Sequence, residues 1–244
     1  MRFDIISLFP GMVLAGIQEG VTARAVDLGL VTVNVWNPRD YAQDKYRTVD
    51  DRPYGGGPGM VMKFEPLAAA IREAKSASTL PVTVVYLSPQ GNLLNQQTIN
   101  RFTRCPRLML IAGRYEGVDE RLIEAEVDEE WSIGDYVLSG GELAALVLFD
   151  AIVRLLPGVL GHADSAKQDS HMAGFLDCPH YTRPETVEGI KVPKVLLSGD
   201  HEAIRRWRLR QSLWRTRDRR PDLFEKIQLD EEQLTLLNGP ERIN

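Results

Sequence analysis

The sequence predicts an α/β protein with a parallel sheet, followed by a small helical domain. Short runs of β-branched and apolar residues alternate with helical patterns over most of the chain, and helical patterns alone return near its end. Between them, residues 161–172 are small and polar, without apolar periodicity. A chain of 244 residues with 43% hydrophobic content can bury one large and one small core. We therefore expect domains at residues 1–160 and 173–244, joined by a flexible linker at 161–172.

The elements of the first domain follow from its apolar periodicity. Strands are predicted at residues 3–9, 31–36, 82–87 and 108–112, and helices at 11–19, 22–28, 65–75 and 95–102. This alternation is typical of a parallel sheet with crossover helices, whose ligands bind at the carboxyl ends of the strands. The turns at 87–91 and 113–117 directly follow predicted strands, so we expect both at that edge.

Three further helices complete the predicted elements. The segment 141–156 is apolar on nearly all sides, so it must be buried in its own core or against another subunit. Beyond the linker, helical patterns occupy residues 201–214 and 230–237. These two helices form the predicted small domain.

Positive charge is concentrated in the last third of the chain. The formal net charge is −5, which argues against a protein that coats nucleic acid through net charge. Eight arginines nevertheless fall within residues 205–220, with Asp218 as the only acid among them. Contact with a phosphate backbone is the sharper interpretation, and a solvated helix is its alternative. Trp207 and Trp214 share one face of this helix and are expected to anchor the small domain. The arginines are Arg205, Arg206, Arg208, Arg210, Arg215, Arg217, Arg219 and Arg220.

Cysteine usage and hydropathy point to the cytoplasm. Cys105 and Cys178 are far apart in sequence and form neither a Cys-x-x-Cys pair nor a disulfide framework, which suits a reducing compartment. No run approaches the roughly 18 apolar residues of a membrane span, so no membrane partner is expected. Asp4 interrupts the apolar start of the chain, which favours a buried strand there over a signal peptide.

Four turns rich in glycine predict a site built from loops. They occupy residues 50–60, 87–91, 113–117 and 130–142. Glycine allows the main chain to approach a ligand closely, and the last turn surrounds an apolar segment with almost no basic residue. None of the turns ends in the Gly-Lys-Ser/Thr of a phosphate-binding loop, and no Gly-x-Gly-x-x-Gly follows an early strand. We infer a pocket for a flat ligand rather than for a nucleotide triphosphate.

The pocket is also expected to be acidic. Glu116 lies inside one of the glycine turns, where a carboxylate repels phosphate and tolerates a cation, such as a sulfonium ion. The other acids between residues 119 and 130 are interpreted mainly as a solvated helix face. No His or Cys joins them and they lack EF-hand spacing, so no metal site is predicted from them.

Three long motifs stand out in the sequence: GRYEG at residues 113–117, WSIGDYVLSGGE at 131–142 and DCPHYTRP at 177–184. They resemble the motifs of bacterial tRNA (guanine-N1)-methyltransferases, the TrmD family of the SPOUT superfamily. The resemblance covers essentially the whole chain. One departure is Ala144, where members of the family commonly have proline, and it affects only the start of a helix.

This resemblance implies a homodimer whose sheet ends in a deep trefoil knot, with S-adenosyl-L-methionine held bent inside the knot. Sequence periodicity alone does not predict a knot, because threaded chains are rare exceptions to the rules of topology. The resemblance also implies Mg²⁺ as a possible further cofactor, with Glu116 as its candidate contact. The implied cofactor-binding residues are Tyr86, Leu87, Ser88, Pro89, Gly91, Gly113, Tyr115, Glu116, Gly117, Ile133, Gly134, Asp135, Tyr136, Val137, Leu138, Gly140 and Gly141.

The implied reaction is methylation of N1 of the guanine immediately 3′ of the anticodon in tRNA. That nitrogen carries a proton at neutral pH, so the reaction needs a base and a cation beside the neighbouring carbonyl oxygen. The resemblance implies Asp169 as the base and Arg154 as the cation. It also implies substrate contacts from Asp50, Gly59, Asp177, Arg183, Arg208 and Arg215.

Two alternatives remain open at the level of sequence. One is another SPOUT enzyme that methylates ribosomal RNA or a ribose 2′-hydroxyl. The other is an RNA-binding protein of the same fold without catalysis. The joint presence of Arg154 and Asp169 favours an enzyme, because binding alone does not require a base.

Overall fold

The computed structural model describes residues 1–161, 166 and 169–239, and divides the chain into two compact units, Met1–Ala163 and Asp164–Asn244. Six residues of the predicted linker, 162–165 and 167–168, lie outside the described part. No helix in the described part is both long and apolar enough to cross a membrane.

The first unit alternates strands and helices, and the second is mainly helical. The first contains β1 (Arg2–Ile6), α1 (Pro10–Ile17), α2 (Gly20–Asp27), β2 (Thr32–Trp36), a 3-10 helix (Pro38–Tyr41), β3 (Asp50–Asp51), β4 (Val61–Met62), α3 (Phe64–Ser76), β5 (Thr83–Leu93), α4 (Gln96–Phe102), β6 (Arg107–Ala112), α5 (Glu120–Glu126), β7 (Glu129–Ser132) and α6 (Glu142–Val153). The second contains β8 (Thr186–Val187), β9 (Ile190–Lys191), α7 (Lys194–Leu197), α8 (His201–Arg219), α9 (Pro221–Phe224) and α10 (Glu231–Asn238).

The main sheet has five parallel strands in the order β2-β1-β6-β5-β7. Its central strand β6 is buried along its whole length, as expected for a parallel strand with helices on both faces. Alternate residues enter different cores: Leu108 and Leu110 pack with α1, α2 and α6, whereas Met109 and Ile111 pack with α3. The sequence prediction of an α/β fold with a mostly parallel sheet is therefore confirmed.

Several predicted boundaries were wrong, each for a local physical reason. The first strand ends at Ile6 instead of residue 9, because Pro10 begins α1 and its ring suits the first turn of a helix. The strand predicted at 82–87 extends to Leu93, but Leu87 and Asn92 both pair with Trp131, so residues 88–91 bulge out between two paired stretches of β5. The long helix of the second unit runs to Arg219, because arginine favours helix as strongly as leucine does.

The acidic segment 119–130 was interpreted mainly as a helix face, but it forms α5 and then β7. Acidic residues are depleted in strands, which is why the pattern did not indicate β7. The sheet tolerates β7 because it is an edge strand, paired only with β5. Glu129 also pairs with Arg101 and accepts a hydrogen bond from Trp131, which offsets its charge.

Helix α6 is buried on one side only within its own unit. Leu148, Phe149 and Ile152 have no solvent exposure, whereas Leu143 and Val147 are 46% and 51% exposed. The sequence predicts that this helix is buried either in its own core or against another subunit. The first unit by itself supplies the core for one face and leaves the other apolar face uncovered.

The second unit is organised around α8. Asp200 caps its amino end by accepting hydrogen bonds from the main-chain N–H groups of Glu202 and Ala203. Trp207 is buried, and the indole N–H of Trp214 donates to the carbonyl oxygen of Leu237 on α10 at 3.3 Å. Both tryptophans thus contribute to the core of this unit, as the sequence predicts.

A buried ion pair lies at the amino end of the sheet. The Asp4 and Arg107 side chains are both fully buried, with Arg107 Nε 2.8 Å from Asp4 Oδ2. Arg2 and the indole N–H of Trp36 also donate to the Asp4 carboxylate. Burial alone would raise the pKa of Asp4, but the hydrogen bonds from Arg2, Trp36 and Arg107 outweigh it, so the pKa lies below its usual value.

We expect Asp4→Asn to lower the free energy of unfolding by about 3–5 kcal/mol, because it leaves Arg107 charged, buried and without its counterion. Asp40→Asn is the matched control: its partner Arg47 and Asp40 itself are more than half exposed, so the loss stays below about 1 kcal/mol. Urea denaturation of both variants measures the difference. The Asp4 contribution is fully present above pH about 4 and is lost as pH falls through its lowered folded pKa, so the gap between wild type and Asp4→Asn narrows there. Equal losses in the two variants at neutral pH would contradict the assignment.

Candidate active site

A cavity of about 480 Å³ opens at the carboxyl edge of the main sheet. Four segments form it: residues 86–90 of β5, the turn at 113–118 after β6, helix α5, and the chain from β7 to the start of α6. This is the edge at which ligands of parallel sheets bind. Its lining residues are Tyr86, Leu87, Ser88, Pro89, Gln90, Gly113, Arg114, Tyr115, Glu116, Gly117, Val118, Glu120, Ile123, Glu130, Trp131, Ser132, Ile133, Gly134, Tyr136, Val137, Leu138, Gly140, Gly141 and Ala144.

The structure brings together fifteen of the seventeen residues expected to bind a cofactor. The two others are Gly91 and Asp135. Gly91 lines a neighbouring groove, where an added Cβ would lie 2.4 Å from the backbone nitrogen of Trp131, so glycine allows β5 and β7 to approach. Asp135 belongs to the same loop as its lining neighbours but is not part of the wall.

Sequence reasoning missed nine lining residues, of which Glu120 and Glu130 matter most for charge. Both belong to the acidic segment that was interpreted as solvated. A signal was present for others, because Arg114, Trp131 and Ser132 lie inside the glycine-rich turns already singled out. Their position beside glycines that face a pocket was the available clue.

Close backbone approach closes the back of the cavity. The N–H of Gly141 donates to the carbonyl oxygen of Gly113 at 2.8 Å, which joins the turn after β6 to the start of α6. A Cβ on Gly141 would lie 2.8 Å from the Cα of Ala112, a backbone atom that cannot move without displacing β6. Only glycine fits there, and main-chain groups rather than side chains face this end of the cavity.

A buried carboxylate holds the same two segments together. Glu142 has no solvent exposure; it accepts hydrogen bonds from Ser7 Oγ and from Arg114 Nε, both at 2.8 Å. Arg114 also donates to the carbonyl oxygen of Ser139 at 3.0 Å, and its guanidinium lies 4.4 Å from the centre of the Phe9 ring. The cavity wall is therefore fixed by a charged network that spans β1, β6 and α6.

The cavity is acidic. Burial and the charges of Glu130 and Glu120 raise the pKa of the Tyr86 phenol to about 12, so this hydroxyl stays protonated. Burial and the charge of Glu120 also raise the pKa of Glu130 above its usual value. Together with Glu116, these side chains favour a cationic ligand and disfavour phosphate.

Two predicted substrate contacts lie beside the cavity. Gly59 has a φ of +82°, and a Cβ added there would lie 2.2 Å from Glu116 Oε1. The N–H of Glu116 donates to the carbonyl oxygen of Met60 at 2.9 Å, which fixes the two turns against each other. Burial and the charge of Asp50 raise the pKa of the Tyr115 phenol, so Asp50 is also close.

The other predicted residues are divided between the two units. Arg154 caps the carboxyl end of α6 in the first unit. Asp169 belongs to the second unit, where its carbonyl oxygen accepts a hydrogen bond from the N–H of Met172. Asp177 Oδ2 lies 2.8 Å from His180 Nε2, and Arg183 is exposed. In the described part, only Asp177, Cys178 and His180 form a group of three potential metal ligands.

Comparison with known proteins identifies the family. A family model described as tRNA (Guanine-1)-methyltransferase TrmD matches residues 1–226. This chain belongs to that family. It is 64% identical to the tRNA (guanine-N(1)-)-methyltransferase of Methylococcus capsulatus over 98% of this chain and 95% of the relative. Proteins of the same name from Tolumonas auensis and Shewanella sediminis are 60% and 59% identical, over 97% and 98% of this chain and 95% and 98% of the relatives.

We expect Gly141→Ala to destabilise the first unit by about 1–3 kcal/mol, because the new methyl group meets backbone that cannot yield. Gly11→Ala is the control. A Cβ at Gly11, in the first turn of α1, has nothing within 4 Å, so this substitution is neutral or slightly stabilising. Urea denaturation monitored by tryptophan fluorescence compares the two. Equal stability of both variants would show that Gly113 and Gly141 are not in close contact.

Proposed function

We propose that this protein transfers a methyl group from S-adenosyl-L-methionine to N1 of the guanine immediately 3′ of the anticodon in tRNA. The observation that carries the proposal is the acidic cavity lined by glycine, at the ligand-binding edge of the sheet, in a chain that belongs to the TrmD family. The names of the relatives specify a tRNA guanine N1 as the acceptor.

The cavity fits the proposed methyl donor in size and in chemistry. A volume of about 480 Å³ is within the usual range for small-molecule sites. S-adenosylmethionine carries a sulfonium and an ammonium group but no phosphate, so carboxylates at Glu116, Glu120 and Glu130 favour it. Gly113 and Gly141 line the cavity without side chains, so a flat adenine ring can approach the main chain there.

In the proposed reaction, this protein removes one proton from the guanine and stabilises one developing negative charge. When bound, S-adenosylmethionine supplies an electrophilic methyl group. Asp169 accepts the proton of guanine N1, which leaves a lone pair on that nitrogen for the new bond to carbon. Arg154 stabilises the negative charge that develops on the neighbouring carbonyl oxygen. Closure of the site around the base excludes water and strengthens both interactions.

The described residues do not fit a resident magnesium ion. Glu116 belongs to no group of three potential ligands, and the group formed by Asp177, Cys178 and His180 offers a thiol and an imidazole, which are poor ligands for Mg²⁺. No step of the proposed reaction is therefore assigned to magnesium.

The proposal also covers the roles of the two domains and the oligomeric state. Residues 1–160 bind the cofactor in a SPOUT domain with a deep trefoil knot, and residues 173–244 bind tRNA in the cytoplasm; of the linker expected between them at 161–172, residues 162–165 and 167–168 lie outside the described part. A homodimer is supported by the exposed apolar side chains of Phe9 and Met12, at the start of α1, and of Leu143 and Val147 on α6. Such side chains mark a surface that another subunit can cover.

The direct test uses labelled S-adenosylmethionine and two tRNA transcripts that differ only in guanine or adenine 3′ of the anticodon. Methyl transfer is expected to the guanine transcript alone, with the label at N1 by mass spectrometry. Label on a ribose, or transfer to ribosomal RNA in a parallel reaction, would favour another SPOUT enzyme. Binding of tRNA without transfer to any substrate would favour a non-catalytic RNA-binding protein.

We expect Asp169→Ala to keep the affinity for S-adenosylmethionine and to lower turnover by more than about 100-fold, because the base is lost and the pocket is not. Glu225→Ala is the matched control, since Glu225 is an exposed acid of the same unit. Calorimetry and a methyl-transfer assay measure the two quantities. If Asp169→Ala lost affinity and turnover to the same extent, Asp169 would not be the base.

The structure corrects the view that Asp218 is the only counterion for the eight arginines. Arg205 pairs with Glu202 and with Glu232 of α10, and Arg220 pairs with Asp222. Arg206 and Arg217 also lie within 4 Å of carboxylates, and Arg210 is buried against Trp214. The arginine surface is defined by the three arginines that are not buried and form no ion pair with a carboxylate among the described residues: Arg208, Arg215 and Arg219.

The arginine surface is a continuous stripe on α8. Spacings of seven and four residues place Arg208, Arg215 and Arg219 on one face of the helix. Arg208 and Arg219 are exposed, and Arg215 is half-buried. Guanidinium groups without a protein carboxylate beside them are the ones available to release counterions from phosphate. This stripe is the proposed contact with the tRNA backbone.

Replacing the three arginines of the stripe by glutamine is expected to lower the slope of log affinity for tRNA against log salt by about 2–3. The control replaces Arg205, Arg217 and Arg220 by glutamine, which removes the same formal charge from paired positions and changes the slope by less than about 1. Filter binding across a salt series measures both slopes. An equal change of slope in the two triple variants would show that tRNA binding depends on net charge rather than on the stripe.

A further inference from the structure

Thr216 is a fully buried polar residue in the last turn of α8. Its hydroxyl donates to the carbonyl oxygen of Ser212 at 2.6 Å, the usual arrangement for threonine inside a helix. The Thr216 hydroxyl oxygen also accepts a hydrogen bond from the N–H of Leu176 at 2.9 Å. A side chain buried only for packing would not need a hydroxyl there, so its second bond, to a distant segment, is the feature to explain.

The bond from Thr216 reaches a loop that begins at the candidate base. We call residues 169–177 the Asp169 loop. Within it, the N–H of His171 donates to the carbonyl oxygen of Phe175 at 2.7 Å, and the N–H of Met172 donates to that of Asp169 at 3.2 Å. At its end, the N–H of Asp177 donates to Ser170 Oγ at 2.9 Å. The two ends of the loop are therefore joined next to Asp169.

The Asp169 loop needs such an anchor. His171 adopts a φ of +72°, a left-handed conformation that costs energy for a residue with a side chain and persists only where its surroundings fix it. The internal hydrogen bonds close the loop upon itself. The hydrogen bond that the Leu176 N–H donates to Thr216 Oγ1 ties the loop to helix α8.

We propose that Thr216 is a positioning residue for Asp169. The link runs from the Thr216 hydroxyl to Leu176, from the adjacent Asp177 N–H to Ser170, and from Ser170 along the chain to Asp169. This inference rests on the proposed role of Asp169 as the base. A base must lie within hydrogen-bond reach of the proton it removes, so small displacements of the loop reduce the rate.

The test compares Thr216→Val with Thr216→Ser. Valine keeps the shape and removes the hydroxyl, whereas serine keeps the hydroxyl and removes a methyl group. Thr216→Val is expected to lower the single-turnover rate of methyl transfer about 10- to 100-fold, while the dissociation constants for tRNA and S-adenosylmethionine stay within about twofold. Thr216→Ser is expected to retain most of the rate. Should Thr216→Val fail to fold, Ser170→Ala removes the next bond of the same link and has the same expected result.

A second readout does not depend on activity. Hydrogen exchange of the peptide covering the Asp169 loop is expected to be faster in Thr216→Val than in wild type and in Thr216→Ser. Unchanged exchange, an unchanged rate in Thr216→Val, or equal impairment of both Thr216 variants would overturn the inference. If wild type itself transfers no methyl group, the proposed function fails, and the exchange data still decide whether Thr216 anchors the loop.

Discussion

The buried pair of Asp4 and Arg107 is the constraint on which the sheet depends. Two charges without solvent exposure are stable only if each hydrogen bond is satisfied. The geometry achieves this by drawing in Trp36 from β2 and the carbonyl oxygens of Ala74, Lys75 and Ser78 at the end of α3. A shift of β1 against β6 would break the ion pair between Asp4 and Arg107, because the other bonds hold each of the two side chains in place. The alignment of the two central strands is thereby fixed at one end, and their carboxyl ends meet at the cavity.

Much of this fold was predictable because its signals are local. The apolar runs of β1 and β6 and the periodicity of α3 follow from the sequence, as do the glycine turns that approach the cavity. The edge strand β7 was not predictable, since it consists largely of acids and is stabilised by pairing with β5 and by Arg101. The continuation of β5 beyond Pro89 was also missed: the residues around Pro89 indicate a turn, and Asn92 and Leu93 pair with β7 again after an interruption.

The charges of the candidate site show the same limit. The family resemblance indicated fifteen lining residues. Glu120 and Glu130 were missed because the acidic segment that contains them is expected to be solvated, whereas α5 and β7 place both residues in the cavity wall. In α8, counting charges along the sequence suggested eight unneutralised arginines, and carboxylates from α10 and from the start of α9 reduce that number. Sequence gives the inventory of charges, whereas only the fold decides which of them are paired.

A protein that binds both a cation and a polyanion needs two sites of opposite charge. Under the proposed function, acids in the cavity attract the sulfonium and ammonium groups and exclude tRNA phosphates from the cofactor site. The arginine surface on α8 attracts those phosphates in a unit that does not form the cavity. After methyl transfer the sulfur is neutral, so the acidic wall of Glu116, Glu120 and Glu130 loses part of its attraction for the product. The same carboxylates therefore favour binding of the donor over retention of what remains of it.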